Sequence, residues 1–127
     1  MRILLADDQP KVRFALRVLL ERQLGLEVVG EAADAGDLVI QAEMACPDLL
    51  LLGWELPGLA GAELLLALPE ICPNLFVIAL SGRPEARQAA LVAGADAFVS
   101  KTDLPERLLA AINSCRRHRQ GRALSQM

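Results

Sequence analysis

The residues best suited to chemistry in this chain are two adjacent acids, a serine and a lysine, each placed at the end of a short apolar run. Asp7 and Asp8 follow the first run, Ser81 ends the fourth, and Lys101 lies just after the fifth. Carboxylate and carbonyl oxygens are the ligands that a hard divalent cation such as Mg²⁺ prefers. A hydroxyl and a lysine ammonium suit an oxyanion or a phosphoryl group. These residue types predict a site that joins a cation to an anionic group.

Each of these residues also has a purely structural interpretation. One of the two acids could cap the helix predicted to start near Pro10, because a carboxylate accepts hydrogen bonds from the first turn. Ser81 could be a turn residue and Lys101 an ordinary surface lysine. The chain uses lysine only twice against eleven arginines, which slightly favours a chemical reason for Lys101.

Short apolar runs alternate with amphipathic stretches along the whole chain. Three of the runs are apolar throughout, which is typical of strands covered on both faces. The runs predict strands at 3–6, 28–30, 49–52, 76–80 and 97–99. Helical spacing of apolar residues predicts five helices between and after them; the third starts near Ala60, the fourth covers 84–93, and the fifth starts at Asp103 with Glu106 as its capping partner.

This alternation predicts an α/β domain with a parallel sheet and helices on both faces. The loop lengths favour a flavodoxin-like, doubly wound five-stranded sheet of order 2-1-3-4-5 with five helices. A Rossmann domain is disfavoured, because no G-x-G-x-x-G loop follows the first strand. In such sheets the site lies at the carboxyl ends of the strands, where the acids, Ser81 and Lys101 are found.

Length and composition limit the possible classes of protein. With 127 residues, 54% hydrophobic and 3% aromatic, the chain forms one domain with an aliphatic core. Its 23% of charged residues excludes disorder by composition. The net charge is −3, but residues 116–127 contain four arginines and no acid, which leaves −7 on the rest. The body is therefore not expected to bind nucleic acid directly.

The three cysteines and the N-terminal residues show no pattern typical of a metal site, a signal peptide or a membrane span. Cys46, Cys72 and Cys115 form no CxxC pair, so we interpret them as small buried hydrophobic residues rather than as a metal or redox site. The first apolar run is only four residues long and meets two acids, unlike a signal peptide or membrane span. We expect a soluble, cytoplasmic protein without a membrane partner.

Together these positions resemble the receiver domain of bacterial two-component response regulators, which has the CheY-like form of the flavodoxin-like fold. The segments DD, LLLLGWELPG, ALSG and AGADAFVSKTD fall in the family's order and spacing over nearly the whole chain. ADAFVSKTDLPERLLAAI and WELPG look most like receivers that precede a LuxR/NarL-type DNA-binding domain. The resemblance implies a phosphorelay module in signal transduction and transcription regulation, not an enzyme. The receiver would cover 1–117, and 118–127 would be a basic tail or the start of a linker to a possible DNA-binding domain.

The resemblance also assigns roles to single residues. Asp7 and Asp8 match the family's metal-binding acids, and the backbone carbonyl of Glu55 matches the third protein ligand. Ser81, Phe98 and Lys101 match the switch hydroxyl, the switch aromatic and the phosphate-pairing lysine. In the family an aspartate ends the third strand and accepts phosphate from a histidine kinase. In this chain Gly53 occupies that position.

Glycine offers neither a nucleophile for phosphoryl transfer nor a carboxylate for Mg²⁺. The chain is therefore predicted to be a pseudo-receiver that is not phosphorylated at position 53. Any Mg²⁺ site should be weak, although the Glu55 carboxylate could substitute for the missing ligand. Lys101 could pair with Asp7 or Asp8 in place of a phosphate.

Two other functions remain open at this point. Gly53 could be an engineered or incidental change in a conventional phospho-accepting receiver, since Ser81, Phe98 and Lys101 are all present. A flavin carrier or small enzyme on the same fold is disfavoured, because the loop after the first strand is acidic and the sole histidine is His118.

The resemblance further implies partners. It places the output face on the fourth helix, fifth strand and fifth helix, at about residues 84–117. This face would support a homodimer or hold an effector domain, and a histidine kinase is the other possible partner. Trp54, which follows Gly53, could either contact a partner or simply pack over its loop.

Overall fold

A single parallel sheet separates two groups of helices in this protein, seen here in a computed structural model that describes the backbone of residues 1–125 and the side chains of residues 1–119. The strands are β1 (Arg2–Ala6), β2 (Glu27–Ala32), β3 (Leu49–Gly53), β4 (Phe76–Ser81) and β5 (Ala97–Ser100). The helices are α1 (Pro10–Glu21), α2 (Ala35–Ala45), α3 (Gly61–Ile71), α4 (Ala86–Ala93) and α5 (Glu106–Ser125), with a 3₁₀ turn at Lys101–Asp103.

The strand order is β2-β1-β3-β4-β5 with all neighbours parallel, so the predicted doubly wound topology is confirmed. The leucines of β3 explain why this strand is central, since all four residues from Leu49 to Leu52 are fully buried. Burying a leucine contributes about 2 kcal/mol relative to leaving it exposed. A strand of this kind is stable only with apolar cover on both faces.

Successive residues along each strand point to opposite faces and divide the core into two layers. Leu50 and Leu52 pack with residues of α2, α3 and α4. Leu49 and Leu51 pack with residues of α1 and α5 on the other face. The sheet therefore places the carboxyl ends of β1, β3, β4 and β5 side by side at one edge, with helices bracing it from both sides.

Two predicted helix starts are wrong by two or three residues. The fourth helix begins at Ala86 instead of residue 84, because the preceding residues form turns in which Ala86 N–H donates to the Arg83 carbonyl at 3.0 Å and Arg87 N–H to the Pro84 carbonyl at 3.2 Å. The fifth begins at Glu106, immediately after Pro105, and Asp103 belongs to the 3₁₀ turn instead of capping the helix. Gly94 follows α4 in left-handed backbone with φ of +117°, as predicted for a glycine past a helix end.

The basic segment continues α5, whose backbone is helical to Ser125. Arg119 anchors this extension to the body: its Nη2 lies 2.9 Å from Asp48 Oδ1 and its Nη1 donates to the Asn74 carbonyl at 3.2 Å. The predicted basic tail also includes Arg122, whose side chain lies outside the described residues, as do residues 126–127 altogether.

The prediction that all three cysteines are buried is wrong for one of them. Cys72 and Cys115 are buried, but Cys46 is exposed because it ends α2 at the surface, in left-handed backbone with φ of 39°. Among the described residues, no helix has both the length and the apolar character needed to cross a membrane.

Candidate functional site at the carboxyl edge of the sheet

The sheet gathers the predicted site residues at one edge. Gly53 is the last residue of β3, Ser81 ends β4, and Lys101 begins the turn that follows β5. Asp7 directly follows β1, which neighbours β3 in the sheet. A cleft of about 280 Å³ opens at this edge, and it is lined by Asp8, Gln9, Glu55, Gly82, Arg83 and Lys101.

Gly53 faces the carboxylate of Asp7. A Cβ atom placed on Gly53 would lie 2.8 Å from Asp7 Oδ2 and 3.2 Å from the Ala6 carbonyl oxygen. The first of these distances is shorter than a normal contact, so a side chain at position 53 requires the Asp7 carboxylate to move. The carboxylate of Asp7 thus fills the space that the first atom of a side chain at position 53 would need.

Asp7 is 1% exposed, and its charge is balanced by Lys101. Lys101 Nζ lies 2.7 Å from Asp7 Oδ2, the oxygen that also faces Gly53. The same ammonium donates to Gln9 Oε1 at 3.1 Å. A buried carboxylate is costly unless it is paired, so this contact is what makes burial of Asp7 tolerable. Of the two pairings open to Lys101 in the sequence, the structure has the one with Asp7.

Neither acid caps α1. The Asp7 Oδ1 atom accepts a hydrogen bond from the backbone N–H of Gln9 at 2.9 Å, one residue before the helix starts. Gln9 itself is the N-cap residue, and its side chain makes no capping bond. Arg13 reaches back from α1 and donates to the Asp7 carbonyl oxygen. These contacts hold the β1–α1 connection in one arrangement around Asp7, while Asp8 remains exposed.

Ser81 and Glu55 form the second polar contact of the site. The Ser81 hydroxyl, fully buried, donates to Glu55 Oε1 and accepts from the backbone N–H of Arg83 at 3.0 Å. The Glu55 carboxylate is therefore directed at Ser81, the last residue of β4. Both the switch-position serine and the loop acid are engaged within the chain.

The connection that follows β3 is fixed by backbone and ring contacts. Trp54 N–H donates to the Leu80 carbonyl oxygen at 2.8 Å, which continues the β3–β4 pairing by one residue. The Trp54 ring lies so close to Gly61 that a Cβ atom there would clash with it. Trp54 is half-buried against the core layer that includes α3. Of the two interpretations of Trp54, packing over the loop accounts for these contacts.

The acids of this edge do not converge on a cation. Within the described residues there is no group of three or more His, Cys, Asp or Glu side chains suited to hold a metal. One oxygen of Asp7 contacts Lys101, and Glu55 contacts Ser81. An ammonium lies 2.7 Å from Oδ2 of the buried Asp7 carboxylate, so that oxygen is already paired with a positive charge. A divalent cation would have to displace Lys101 to reach it.

Phe98 lies in β5 and is only 8% exposed, packed into the core layer shared with α2, α3 and α4. A groove of about 330 Å³ runs along the surface between α4 and α5, and Phe98 forms part of its floor together with Pro84, Arg87, Ser100, Asp103 and Arg107. The predicted output face therefore contains a concave surface with charged side chains of both signs.

Three residues of the site were not predicted from the sequence. Gln9 binds Lys101, Arg13 binds the backbone of Asp7, and the N–H of Arg83 binds Ser81. Gln9 and Arg83 each lie two residues beyond a candidate residue, Asp7 and Ser81, a spacing at which polar side chains bind the nearby backbone. That spacing could have identified Gln9 and Arg83 from the sequence. Arg13 lies in α1, six residues after Asp7, and no sequence pattern indicated its contact with Asp7.

Comparison with known proteins relates this chain to response regulators. Residues 3–113 match the response regulator receiver domain family. The chain is 36% identical over 113 residues to the nitrate/nitrite response regulator protein NarL of Escherichia coli, covering 87% of this chain and 52% of NarL. It is 33% identical over 119 residues to the transcriptional regulatory protein YxjL of Bacillus subtilis, covering 92% of this chain and 55% of that protein. The chain thus spans about half the length of these relatives.

A solved structure agrees in fold. The crystal structure of a LuxR-family two-component response regulator from Aurantimonas sp. SI85-9A1 superposes with a TM-score of 0.80 and 34% identity. The match covers 89% of this chain and 82% of that one.

Proposed function

Because the chain belongs to the response regulator receiver domain family, with relatives of the LuxR/NarL type, we propose that it is an atypical receiver that signals without phosphorylation at position 53. The observation that carries the proposal is the pairing of Asp7 with Lys101 beside Gly53. The lysine that would contact a phosphoryl group is held instead by a carboxylate of the chain itself.

The electrostatics of the edge support this proposal. A conventional acceptor would add a third carboxylate beside Asp7 and Asp8, and a cation would be needed to relieve their repulsion. With glycine at position 53, one ammonium is enough to balance the one buried carboxylate. The site is internally neutralised, so it needs neither Mg²⁺ nor phosphate to be stable.

For the same reason we expect Mg²⁺ to bind weakly. A cation at this edge would have to displace Lys101 from Asp7 and then find its remaining ligands among Asp8, the Glu55 backbone carbonyl and water. We expect a melting temperature that is unchanged by about 10 mM MgCl₂, because a ligand stabilises a fold appreciably only when its concentration approaches or exceeds its dissociation constant. Replacing Gly53 with aspartate should give a measurable increase under the same conditions.

The decisive test is incubation with a small phosphodonor such as acetyl phosphate in the presence of Mg²⁺, followed by intact mass measurement. The expected mass of the wild-type chain is unchanged. An added phosphate on any aspartate of the site would overturn the proposal. A receiver of the same family with aspartate at the end of the third strand serves as the positive control for the donor.

The variant Gly53→Asp distinguishes a receiver whose whole site has diverged from a conventional receiver in which only residue 53 has changed. Rapid, Mg²⁺-dependent phosphorylation of this variant would support the alternative that Gly53 is an incidental or engineered change in a conventional receiver. Failure of the correctly folded variant to accept phosphate would show that the site has diverged beyond one residue. The Asp7 carboxylate must move to make room for the new side chain in either case.

We infer that output depends on the surface formed by α4, β5 and α5. The groove between α4 and α5 gives this surface the shape to hold an effector domain or a second copy of the chain, and a histidine kinase is a further candidate partner. Sedimentation velocity of the wild type and of Arg87→Glu tests self-association. A dimer that the charge reversal weakens supports this face, and a dimer that it leaves unchanged contradicts it.

A further inference from the structure

Cys46 and Cys72 are separated by 25 residues in sequence but lie at equivalent ends of neighbouring helices. Cys46 ends α2 and Cys72 ends α3, and these helices pack together on one face of the sheet. The carbonyl oxygen of Ala42 accepts a hydrogen bond from the Cys46 backbone N–H at 2.8 Å and from the Cys72 thiol at 3.4 Å. One carbonyl group therefore contacts both residues, the backbone N–H of Cys46 and the thiol of Cys72.

The two thiols differ in their access to solvent. Cys46 is exposed, whereas Cys72 is 2% exposed. The backbone of Cys46 has a φ of 39°, in the left-handed region where glycine or asparagine is favoured. Cys46 is exposed and has a backbone conformation that disfavours cysteine, so packing does not explain why a cysteine stands at this position.

Cys115 is placed differently and serves as an internal reference. It is buried in α5 within the core layer of α1 and α5, on the opposite face of the sheet from Cys72. The sheet separates the Cys115 thiol from the other two. Any intramolecular disulfide in the folded chain must therefore join Cys46 to Cys72.

We propose that Cys46 and Cys72 form a redox-sensitive thiol pair, which a hydroperoxide converts to an intramolecular disulfide that ties the end of α2 to the end of α3. The exposed Cys46 is the site of first attack and the buried Cys72 is the resolving thiol. Neither forms a disulfide in the present structure.

The reaction takes two steps. The Cys46 thiolate attacks one oxygen of the peroxide, an S–O bond forms, the O–O bond breaks, and hydroxide leaves to become water. The Cys72 sulfur then attacks the Cys46 sulfenic acid, an S–S bond forms and the S–O bond breaks. The Cys72 proton leaves with the hydroxide as a second water. Two thiols are oxidised by two electrons and one peroxide is reduced.

Burial sets the rate of the second step. Desolvation and the neighbouring Cys46 raise the pKa of the Cys72 thiol from 9.0 to about 12, so it is protonated near neutral pH. Since the thiolate is the attacking species, closure of the disulfide should be slow near neutral pH and faster in alkali.

The test uses hydrogen peroxide on the reduced, folded chain. Thiols are then counted with Ellman's reagent after unfolding, and peptides are mapped by mass spectrometry without reduction. The expected result is loss of two of the three thiols, a Cys46–Cys72 peptide, a higher melting temperature, and reversal of all three by dithiothreitol. Sulfinic acid at Cys46, or a disulfide between two copies, as the main product would overturn the proposal.

Two variants sharpen the test. Cys115→Ser keeps the pair and should still form the disulfide, with both remaining thiols lost. Cys46→Ser changes only an exposed side chain and should form no intramolecular disulfide between Cys72 and Cys115. Oxidation of Cys46→Ser at the wild-type rate with loss of two thiols would contradict the assignment.

Discussion

Asp7 and Lys101 lie at the ends of two strands separated by β3 and β4, and their side chains meet with Oδ2 and Nζ 2.7 Å apart. The contact crosses the position where residue 53 would extend a side chain, because Asp7 Oδ2 is also 2.8 Å from a Cβ built on Gly53. The same oxygen atom, Asp7 Oδ2, therefore pairs with Lys101 and fills the space beside Gly53.

Replacing Lys101 with methionine should destabilise the fold by about 2 kcal/mol. Removing one partner of a buried ion pair costs about 3–5 kcal/mol. A loss below this range is expected here because solvent reaches the Lys101 side chain, which is 18% exposed. Urea unfolding measures the change. Lys11→Met is the matched control, since Lys11 is exposed, and it should shift stability by less than about 0.5 kcal/mol. Equal losses in the two variants would contradict a structural role for the ion pair.

Replacing Gly53 with alanine should also destabilise the protein, by about 1 kcal/mol, because the new methyl group displaces the Asp7 carboxylate from Lys101. Glycine to alanine in a strand is otherwise favourable. In an Asp7→Ala background the same change should therefore become neutral or stabilising, and a double-mutant cycle measures this coupling. Gly82→Ala is the control, since nothing lies within 4 Å of its added Cβ.

Replacing Ser81 with alanine should cost about 1 kcal/mol, since a buried hydroxyl that both donates and accepts is lost. The Glu55 carboxylate loses its partner, and the fluorescence of the adjacent Trp54 should change as the loop relaxes. Ser114→Ala, at an exposed position of α5, should change neither stability nor fluorescence beyond error. An unchanged emission spectrum in Ser81→Ala would argue that the loop is held by its other contacts.

Stability should fall with rising pH between about 9 and 11 through the buried thiols of Cys115 and Cys72, and Cys115 is the one that can be tested by substitution without touching the thiol pair. Burial raises the pKa of the Cys115 thiol from its ordinary 9.0 to about 11, so the unfolded chain releases the proton first. The folded state then binds more protons than the unfolded state, and the free energy of unfolding decreases with pH. Urea unfolding at about pH 8 and about pH 10.5 measures the loss, which should be smaller in Cys115→Ala. An equal loss in the variant would assign the effect to other groups.

Much of the fold follows from local sequence patterns. The LLLL run of β3 has apolar residues on both faces, which is stable only at the centre of a covered sheet, and the helical spacing around it supplies that cover. The placement of Asp7, Ser81 and Lys101 at one edge was predictable for the same reason, since parallel strands share a carboxyl end. Pro105 moved the start of α5, because the extended backbone that proline favours at Leu104 is stronger than the capping pattern of Asp103 and Glu106.

The sequence by itself determined the family, the strand order and the absence of a carboxylate at position 53. Which acid pairs with Lys101, where Glu55 points and which cysteines meet were decided only by the tertiary structure. These choices depend on distances between side chains from strands and helices far apart in the chain, and local propensity contains no information about them. Asp7 is selected over Asp8 because it is the buried acid, and a buried charge must find its partner.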